Sequence, residues 1–270
     1  FKKPSYKCRD EGLIVFRNST VPIVHIENVT TNNTINSINE YEKYDIVILN
    51  FKNQTYCYNN FQFEGLVEKI IINGNGATFK GYHKKNVNIL SYILNINPNS
   101  ALDNLTEDNY NLNDEVHFAV VNSNHYLTIC NATLKNFNMA IINYGIFKGE
   151  NVIFDNNQVS WNFYKDFAGA IFNRENGEIE CINCTFTNNY GKYAGAIYNE
   201  EKALAIIINC IFKNNTQYDN NTLVDIYNMN SESLQISIIN STNTTEPIIV
   251  NYKGLTKIEY LTISVSITLG

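Results

Sequence analysis

The chain has 270 residues, of which 44% are hydrophobic and 17% charged, and its formal net charge is −6. This apolar content is too high for a disordered chain, and the length allows one large domain or two ordinary ones. The 20 Lys and Arg residues are scattered along the chain, which argues against nucleic-acid binding. No apolar run approaches the roughly 18 residues of a membrane span, so no transmembrane segment is expected.

The chain begins with residues 1–43, which are predicted to form an N-terminal cap or irregular strand segment ahead of the coils expected over 44–270. A start at Phe1 without an apolar leader suits a mature secreted product, although an arbitrary boundary would look the same. Asn-x-Ser/Thr sequons also favour a secreted or surface protein, even though 47 asparagines must generate some by chance. The eleven candidate glycosylation sites are Asn18, Asn28, Asn32, Asn53, Asn104, Asn131, Asn183, Asn214, Asn220, Asn240 and Asn243.

Two stretches of the chain predict connections between coils. The sequence NGNG (73–76) lacks the lysine and the helix that follow a phosphate-binding loop, so it predicts a turn. Residues 97–116, NPNSALDNLTEDNYNLNDEV, are irregular and predict an inserted loop.

Two sets of short segments alternate strictly from residue 119 onward. The first set is AVVN, AIIN, AIFN, AIYN, DIYN and IIVN, ending at Asn122, Asn143, Asn173, Asn199, Asn228 and Asn251. The second set aligns Asn131, Asn151, Asn183, Asn209 and Asn240. Each pair of segments predicts one turn of a coil, and ladders of like residues on successive turns are typical of a parallel β-helix solenoid.

The second set also predicts which side chains face the core. Period-2 alternation places large residues in one inward column, at Leu134, Phe154, Phe186 and Phe212. Asparagines follow where the strand must bend, at Asn136, Asn156, Asn188 and Asn214, and we expect a left-handed backbone and amide stacking there. Glu150 conflicts with this pattern, because its alignment is inward, and a bulge after Gly149 would turn it outward.

The same repeats resemble known surface proteins. AGAIFN and AGAIYN, followed by CTFTNN and CIFKNN, resemble the repeats of chlamydial polymorphic membrane proteins. IIINGNGATFKGY (70–82), with NCTFTNN and AGAIYN, resembles the adhesin-like surface proteins of methanogenic archaea. The resemblance covers roughly residues 44–251 and implies an all-β, right-handed parallel β-helix displayed outside the cell. The chain departs from the pattern at Ala168 and Ala194, where a first Gly is usual.

The cysteines raise the question of a redox or metal site. Cys181 and Cys184 are three apart within a predicted strand, so they are expected on opposite faces, about 10 Å apart. Neither a helix start nor paired histidine spacing accompanies them, and no metal or cofactor is expected. Cys184 aligns with Cys210 one coil later, where a disulfide and a stack of two free thiols are both compatible with the spacing.

Candidate binding residues lie in QVSWNFYKDF (158–167), a loop between coils. Its aromatic residues could contact a sugar or a protein, or could pack back over the adjacent coil. They are Trp161, Phe163, Tyr164 and Phe167.

Candidate catalytic residues are few. A β-helix polysaccharide lyase or glycoside hydrolase needs clustered carboxylates with a cation beside them. The available groups are Glu178, Glu180, Glu200 and Glu201, with Arg174 and Lys202. We favour a solvated corner of the fold as the explanation of these residues.

The last part of the sequence, LTISVSITL (261–269), alternates apolar and polar residues and predicts a further strand. No capping segment follows it, so strand addition or head-to-tail stacking with another copy is expected there. We therefore expect a non-enzymatic extracellular, cell-surface protein that builds a layer or fibre or mediates attachment to a glycan or cell-surface ligand. A secreted β-helix enzyme acting on polysaccharides is the alternative.

Overall fold

The computed structural model describes residues 23–29, 44–57, 61–62, 67–81, 117–159, 167–217, 222–229, 234–237 and 247–251. This part of the chain is all-β and contains no helix. In chain order its strands are β1 (Val24–Asn28), β2 (Ile46–Asn50), β3 (Thr55–Cys57), β4 (Phe61–Gln62), β5 (Lys69–Lys80), β6 (Ala119–Val121), β7 (Tyr126–Lys135), β8 (Ile141–Asn143), β9 (Ile146–Asp155), β10 (Ile171–Asn173), β11 (Glu178–Ile182), β12 (Thr185–Thr187), β13 (Tyr190–Gly191), β14 (Ile197–Asn199), β15 (Leu204–Ile208), β16 (Ile211–Lys213), β17 (Thr216–Gln217), β18 (Thr222–Leu223), β19 (Ile226–Asn228), β20 (Leu234–Ser237) and β21 (Ile249–Asn251). The predicted loop 97–116 and the predicted strand 261–269 lie outside these residues.

Two large sheets organise the strands. An eleven-stranded sheet has the order β1-β2-β5-β7-β9-β11-β15-β20, with β3, β12 and β16 beside this path, and a seven-stranded sheet has the order β21-β19-β14-β10-β8-β6-β4. Their pairings are all parallel. A three-stranded sheet, β13-β17-β18, contains one antiparallel pair.

The chain alternates between the two large sheets. From β7 it passes to β8 in the seven-stranded sheet, returns to β9, and repeats this exchange through β10, β11, β14 and β15. Parallel neighbours need such crossover connections. Most of the buried apolar residues of both sheets form one main core cluster, which contains Phe186 of β12 and Ile197 of β14.

The predicted core column is confirmed. Phe186 pairs with Phe154 on one side and with Phe212 on the other. Its ring centroid lies 4.7 Å from that of Phe154 and 5.0 Å from that of Phe212, with interplanar angles of 1° and 6°. All three side chains are buried. Leu134 pairs with Phe154, as expected, and Phe79 extends the column one strand further.

The predicted bends are also confirmed. Asn136, Asn156, Asn188 and Asn214 have φ values of 60°, 54°, 54° and 54°. The other aligned set, Asn131, Asn151, Asn183 and Asn209, has φ values of 52° throughout. Among non-glycine residues, asparagine tolerates this left-handed conformation best. Successive turns therefore bend at the same two places.

These left-handed residues explain two errors of the sequence analysis. The alternation of inward and outward side chains is interrupted at Asn151, because this left-handed residue shifts the alternation by one position. Odd-numbered residues face inward before Asn151 and even-numbered residues face inward after it. Glu150 therefore keeps its aligned register with Cys130 and Ile182 and is only half-buried, without a bulge after Gly149. By the same reset at Asn183, Cys181 and Cys184 both face the core and are fully buried, not on opposite faces.

The alignment of the first set is wrong at one position. Asn143 pairs with Val121, so Asn122 lies one residue outside the column. The other aligned asparagines form a buried ladder in which each Nδ2 donates to the Oδ1 of the next turn. The distances are 2.8 Å for Asn143 to Asn173, 2.7 Å for Asn173 to Asn199, 2.9 Å for Asn199 to Asn228 and 3.3 Å for Asn228 to Asn251.

Two further boundaries differ from expectation. The predicted turn at 73–76 lies inside β5, where the register with β7 shifts between Asn73 and Ala77 and Gly76 has a φ of 90°. The large sheet also begins before residue 44, because β1, within the expected N-terminal segment, pairs in parallel with β2.

Candidate binding face

The outer side of the seven-stranded sheet carries a column of large side chains. The first and third residues are buried and the central residue is directed away from the core in β6, β8, β10, β14 and β19. The central residues of β10, β14 and β19 are Phe172, Tyr198 and Tyr227, which we call the aromatic ladder. Phe172 and Tyr198 are buried, whereas Tyr227 is half-buried.

Strand register sets the geometry of the aromatic ladder. The rings of Tyr198 and Tyr227 stack with centroids 5.2 Å apart and an interplanar angle of 2°. The ring of Phe172 meets Tyr198 edge-on, at 5.5 Å and 82°. Such pairs contribute stability beyond their buried area, so the ladder adds to the stability of this side of the sheet.

Two rings from outside the sheet pack on the ladder. Phe167 lies 4.7 Å from both Phe172 and Tyr198, and Tyr193 lies 5.6 Å from Tyr198 and 5.3 Å from Tyr227. The half-buried ring of Phe167 therefore packs over the adjacent turns, as one of the two interpretations of the candidate binding loop expects. Trp161, Phe163 and Tyr164 lie outside the described residues.

Arg174 forms the polar edge of this face. Its guanidinium carbon lies 4.8 Å from the centroid of Phe172 and 5.2 Å from that of Tyr144, which is 37% exposed. Its Nε lies 3.3 Å from Oε2 of Glu200, and that oxygen accepts a 2.8 Å hydrogen bond from the Glu175 amide. An exposed ring, a cation and a carboxylate thus lie side by side.

Tyr198 is a structural group in this arrangement. Burial raises the pKa of its hydroxyl, and the hydroxyl donates a 3.0 Å hydrogen bond to the sulfur of Met229. The phenol is therefore neutral at physiological pH and is not available as a base.

The candidate catalytic carboxylates are paired with cations or exposed. Glu180 lies 3.0 Å from Lys148, and Arg174 pairs with Glu200. The candidate cation Lys202 lies 2.5 Å from Glu175, which was not among the candidates, and its hydrogen bond lowers the pKa of the Glu175 carboxyl. Glu178 and Glu201 are exposed. In the described ranges, no group of three or more His, Cys, Asp or Glu residues could hold a metal ion.

Cys184 and Cys210 are free thiols and do not form the disulfide considered from the sequence. The sulfur of Cys184 donates to the carbonyl of Gly149 at 3.4 Å, and that of Cys210 donates to the carbonyl of Cys181 at 3.3 Å. Burial raises the pKa of Cys184 well above its ordinary value. These thiols therefore pack as protonated apolar groups. Cys130 is disulfide-bonded, and its partner lies outside the described side chains.

Five of the candidate glycosylation sites fall in the described chain. Asn28, Asn53, Asn183 and Asn214 are exposed, and Asn131 is half-buried. The remaining six, Asn18, Asn32, Asn104, Asn220, Asn240 and Asn243, lie outside it.

The aromatic ladder was missed by the sequence analysis, although its signal was present. The third letters of AIFN, AIYN and DIYN are the three rings of the ladder. The alignment identified the repeats by their terminal asparagines and left the central column uninterpreted.

No protein-family model, curated protein or solved structure matches this chain. None of the described residues belongs to a helix long and apolar enough to cross a membrane.

Proposed function

We propose that the chain is a right-handed parallel β-helix that acts as a non-enzymatic, adhesin-like component of an extracellular cell surface. The alternation of the chain between two parallel sheets around one core supports this architecture. In such a fold each turn is stabilised by its neighbours, so repetition extends a rigid rod that can serve as a spacer or as a building block of a layer or fibre.

The buried asparagine ladder is the observation that carries the structural role. It links β8, β10, β14, β19 and β21 through hydrogen bonds from one turn to the next. Buried side-chain networks of this kind specify one register and resist slippage. These buried hydrogen bonds thus hold successive turns in alignment, which a rod under mechanical load requires.

The edge of the aromatic ladder supports an attachment role. Tyr144 offers an exposed ring face, and Arg174 and Glu200 beside it offer hydrogen-bond donors and acceptors. Sugar rings and protein aromatic anchors both suit such a combination. We therefore propose that ligand contact occurs at this edge.

The pairing of outward carboxylates favours this function over polysaccharide cleavage. Glu180 and Glu200 are each paired with a cation of a neighbouring turn. A catalytic acid or base of a lyase or hydrolase has to be free to exchange a proton with the substrate. These ion pairs instead link successive turns.

The test combines assembly, binding and turnover assays on the full chain. We expect particles or fibres in electron micrographs, loss of assembly on deletion of residues 261–270, and binding to a glycan array that weakens in Tyr144→Ala. Ile153→Ala, which changes an exposed residue of the other sheet, is the control. A monomeric protein that binds no glycan or cell surface contradicts the proposal. Cleavage of pectin or alginate that disappears in Glu180→Gln favours the enzyme.

A further inference from the structure

Asparagine ladders on the outside of the eleven-stranded sheet share one hydrogen-bond direction. In each, the asparagine of the later turn donates through Nδ2 to Oδ1 of the earlier turn. Asn209 donates to Asn183 at 2.6 Å, and Asn50 donates to Asn28 at 3.2 Å. Asn214 likewise donates to Asn188, at 3.4 Å. The first asparagine of such a ladder is therefore used as an acceptor.

This direction leaves the amide nitrogen available at the start of a ladder. Among the described residues, Nδ2 of Asn183 and Nδ2 of Asn28 donate no hydrogen bond, and both side chains are exposed. Asn214 is also exposed, but its Nδ2 is engaged with Asn188. Exposure alone does not distinguish these asparagines, whereas their hydrogen bonds do.

Two of the sequons on this sheet coincide with the start of a ladder, whereas the sequon Asn214-Asn-Thr stands at a donating position. Asn183-Cys-Thr and Asn28-Val-Thr begin ladders, whereas Asn209 and Asn50, which donate to them, are not followed by a sequon. None of the buried ladder asparagines is in a sequon either. These are Asn143, Asn157, Asn173, Asn189, Asn199, Asn215 and Asn228.

We propose that Asn183 and Asn28, which begin ladders on this sheet, accept N-linked sugar in the folded protein, and that ladder hydrogen bonding protects Asn214. The donor is an activated glycosyl phosphate or diphosphate. Nδ2 attacks the anomeric carbon, the new N–C bond replaces the C–O bond to phosphate, the phosphate leaves with that electron pair, and the lost N–H proton passes to it. The modification is independent of the attachment role proposed above.

Chemistry explains why the free amide matters. A sequon amide is a weak nucleophile and must be presented to the transferase without another acceptor competing for its N–H groups. At Asn183, Oδ1 still accepts from Asn209 after the sugar is attached to Nδ2. At Asn214, one of the two Nδ2 hydrogens is held by Oδ1 of Asn188, so only the other is available for replacement by the sugar. Modification of Asn183 therefore preserves its ladder.

The chain offers a matched control one turn away. Ile211 pairs with Thr185, the sequon threonine of Asn183, and both are half-buried. Ile211→Thr therefore creates Asn209-Cys-Thr in the same local structure as Asn183-Cys-Thr. The two sites then differ in their hydrogen bonds, because Nδ2 of Asn209 donates to Asn183, and in exposure, because Asn209 is half-buried whereas Asn183 is exposed. Asn214, which is exposed and donates to Asn188, separates the two effects. Thr185→Ala removes the sequon at Asn183 and is the negative control.

The experiment glycosylates purified full-length protein in vitro. The folded protein and a urea-unfolded sample are incubated with a soluble asparagine glycosyltransferase and uridine diphosphate glucose, and modified residues are mapped by peptide mass spectrometry. In the folded Ile211→Thr variant we expect Asn183 and Asn28 to react at least about fivefold faster than Asn209 and Asn214, the effect of one hydrogen bond. In urea the four rates should converge.

Circular dichroism confirms that each variant is folded before the reaction. Equal rates at Asn183 and Asn209 in the folded variant would overturn the proposal, as would a folded protein modified at Asn214 but not at Asn183. A rate difference that persists in urea would also overturn it, because local sequence and not ladder geometry would then be responsible.

Discussion

At the scale of the residue, left-handed asparagines determine the path of the chain. Asn151, within β9, and Asn183, between β11 and β12, each have a φ of 52°, and at each the inward phase shifts by one position. Most residues would have to strain to adopt this conformation. The abundance of asparagine is therefore a requirement of the bends as well as of the ladders.

The stacked rings give a direct test of the core. Phe186 is fully buried between Phe154 and Phe212, so Phe186→Ala should leave a cavity and lower the free energy of unfolding by about 3–5 kcal/mol. Ile153→Ala, in the adjacent strand but 42% exposed, should change it by less than about 1 kcal/mol. Urea denaturation measures both. Equal effects would contradict the inward assignment.

Asp225 should give stability a pH dependence of defined sign. Burial raises the pKa of its carboxyl above the ordinary value of 3.8, although Asn215 Nδ2 and the Ile248 amide both donate to it at 2.8 Å. The folded state then holds the proton more tightly than the unfolded state. Its stabilising contribution is complete below pH 3.8 and is lost as the pH rises through the folded pKa.

Comparison with Asp225→Asn isolates this contribution. The free energy of unfolding of the wild type, minus that of the variant, should decrease as the pH is raised from about 3.5 to 7. Urea titrations across that range measure the difference. An increase with pH would mean that the two donors outweigh burial and lower the pKa of Asp225.

At the scale of the element, a short strand is held by the ladder in which its asparagine participates. Asn173 is fully buried, accepts from Asn143, and donates to Asn199 Oδ1 and to the carbonyls of Gly177 and Leu204. One side chain thus fixes a three-residue strand against both neighbours and against the following turn.

Exchanging the amide of Asn173 for a carboxylate should be severely destabilising. Asn173→Asp keeps the shape but directs an oxygen at three acceptors within 3.2 Å, at a cost of about 3 kcal/mol or more. Asn214→Asp, at an exposed ladder position, should cost less than about 1 kcal/mol. Thermal and urea unfolding at pH 7 compare the variants. Similar losses would argue against the buried network as the main constraint on these strands.

The elements that could be predicted from the sequence are those in which the same residue type recurs at the same place on each turn. The column Phe154, Phe186 and Phe212 and the bends at Asn188 and Asn214 follow from alignment alone, because each turn repeats the same side chain. The error at Cys181 has a different origin. The sequence analysis assumed that inward and outward side chains alternate without interruption from Cys181 to Cys184, whereas Asn183 between them is left-handed and shifts the alternation.

The register error at Asn122 has a packing consequence. Val121 occupies the ladder position beside Asn143, and Oδ1 of Asn143 is buried without a hydrogen-bond partner. Alignment by residue identity placed an asparagine there, whereas burial of Val121 in the core determined the register. The aromatic ladder was also missed, because its residues vary between Phe and Tyr and lie outside the main core.

At the scale of the whole molecule, the fold is a series of nearest-neighbour contacts. In the described sheets, β9 and β11 have partners on both sides, whereas β1 and β21 are terminal. Exposed apolar side chains also gather near these two strands, at Ile23, Val24, Ile26, Ile248 and Val250. Stability in such an array is a sum of turn and interface contributions and can be lost locally.

Hydrogen exchange should therefore vary systematically along the molecule. Amides of β9 and β11 should exchange more slowly than those of β1 and β21 by about two orders of magnitude or more, because terminal strands open without disrupting a second interface. Exchange monitored by mass spectrometry on the full chain measures this gradient. In Phe186→Ala, protection should fall most in β9, β12 and β16, which the ring column joins, and least in β1. Uniform protection that falls equally in every strand would instead indicate a single cooperative unit, in which the turns do not act as separable neighbours.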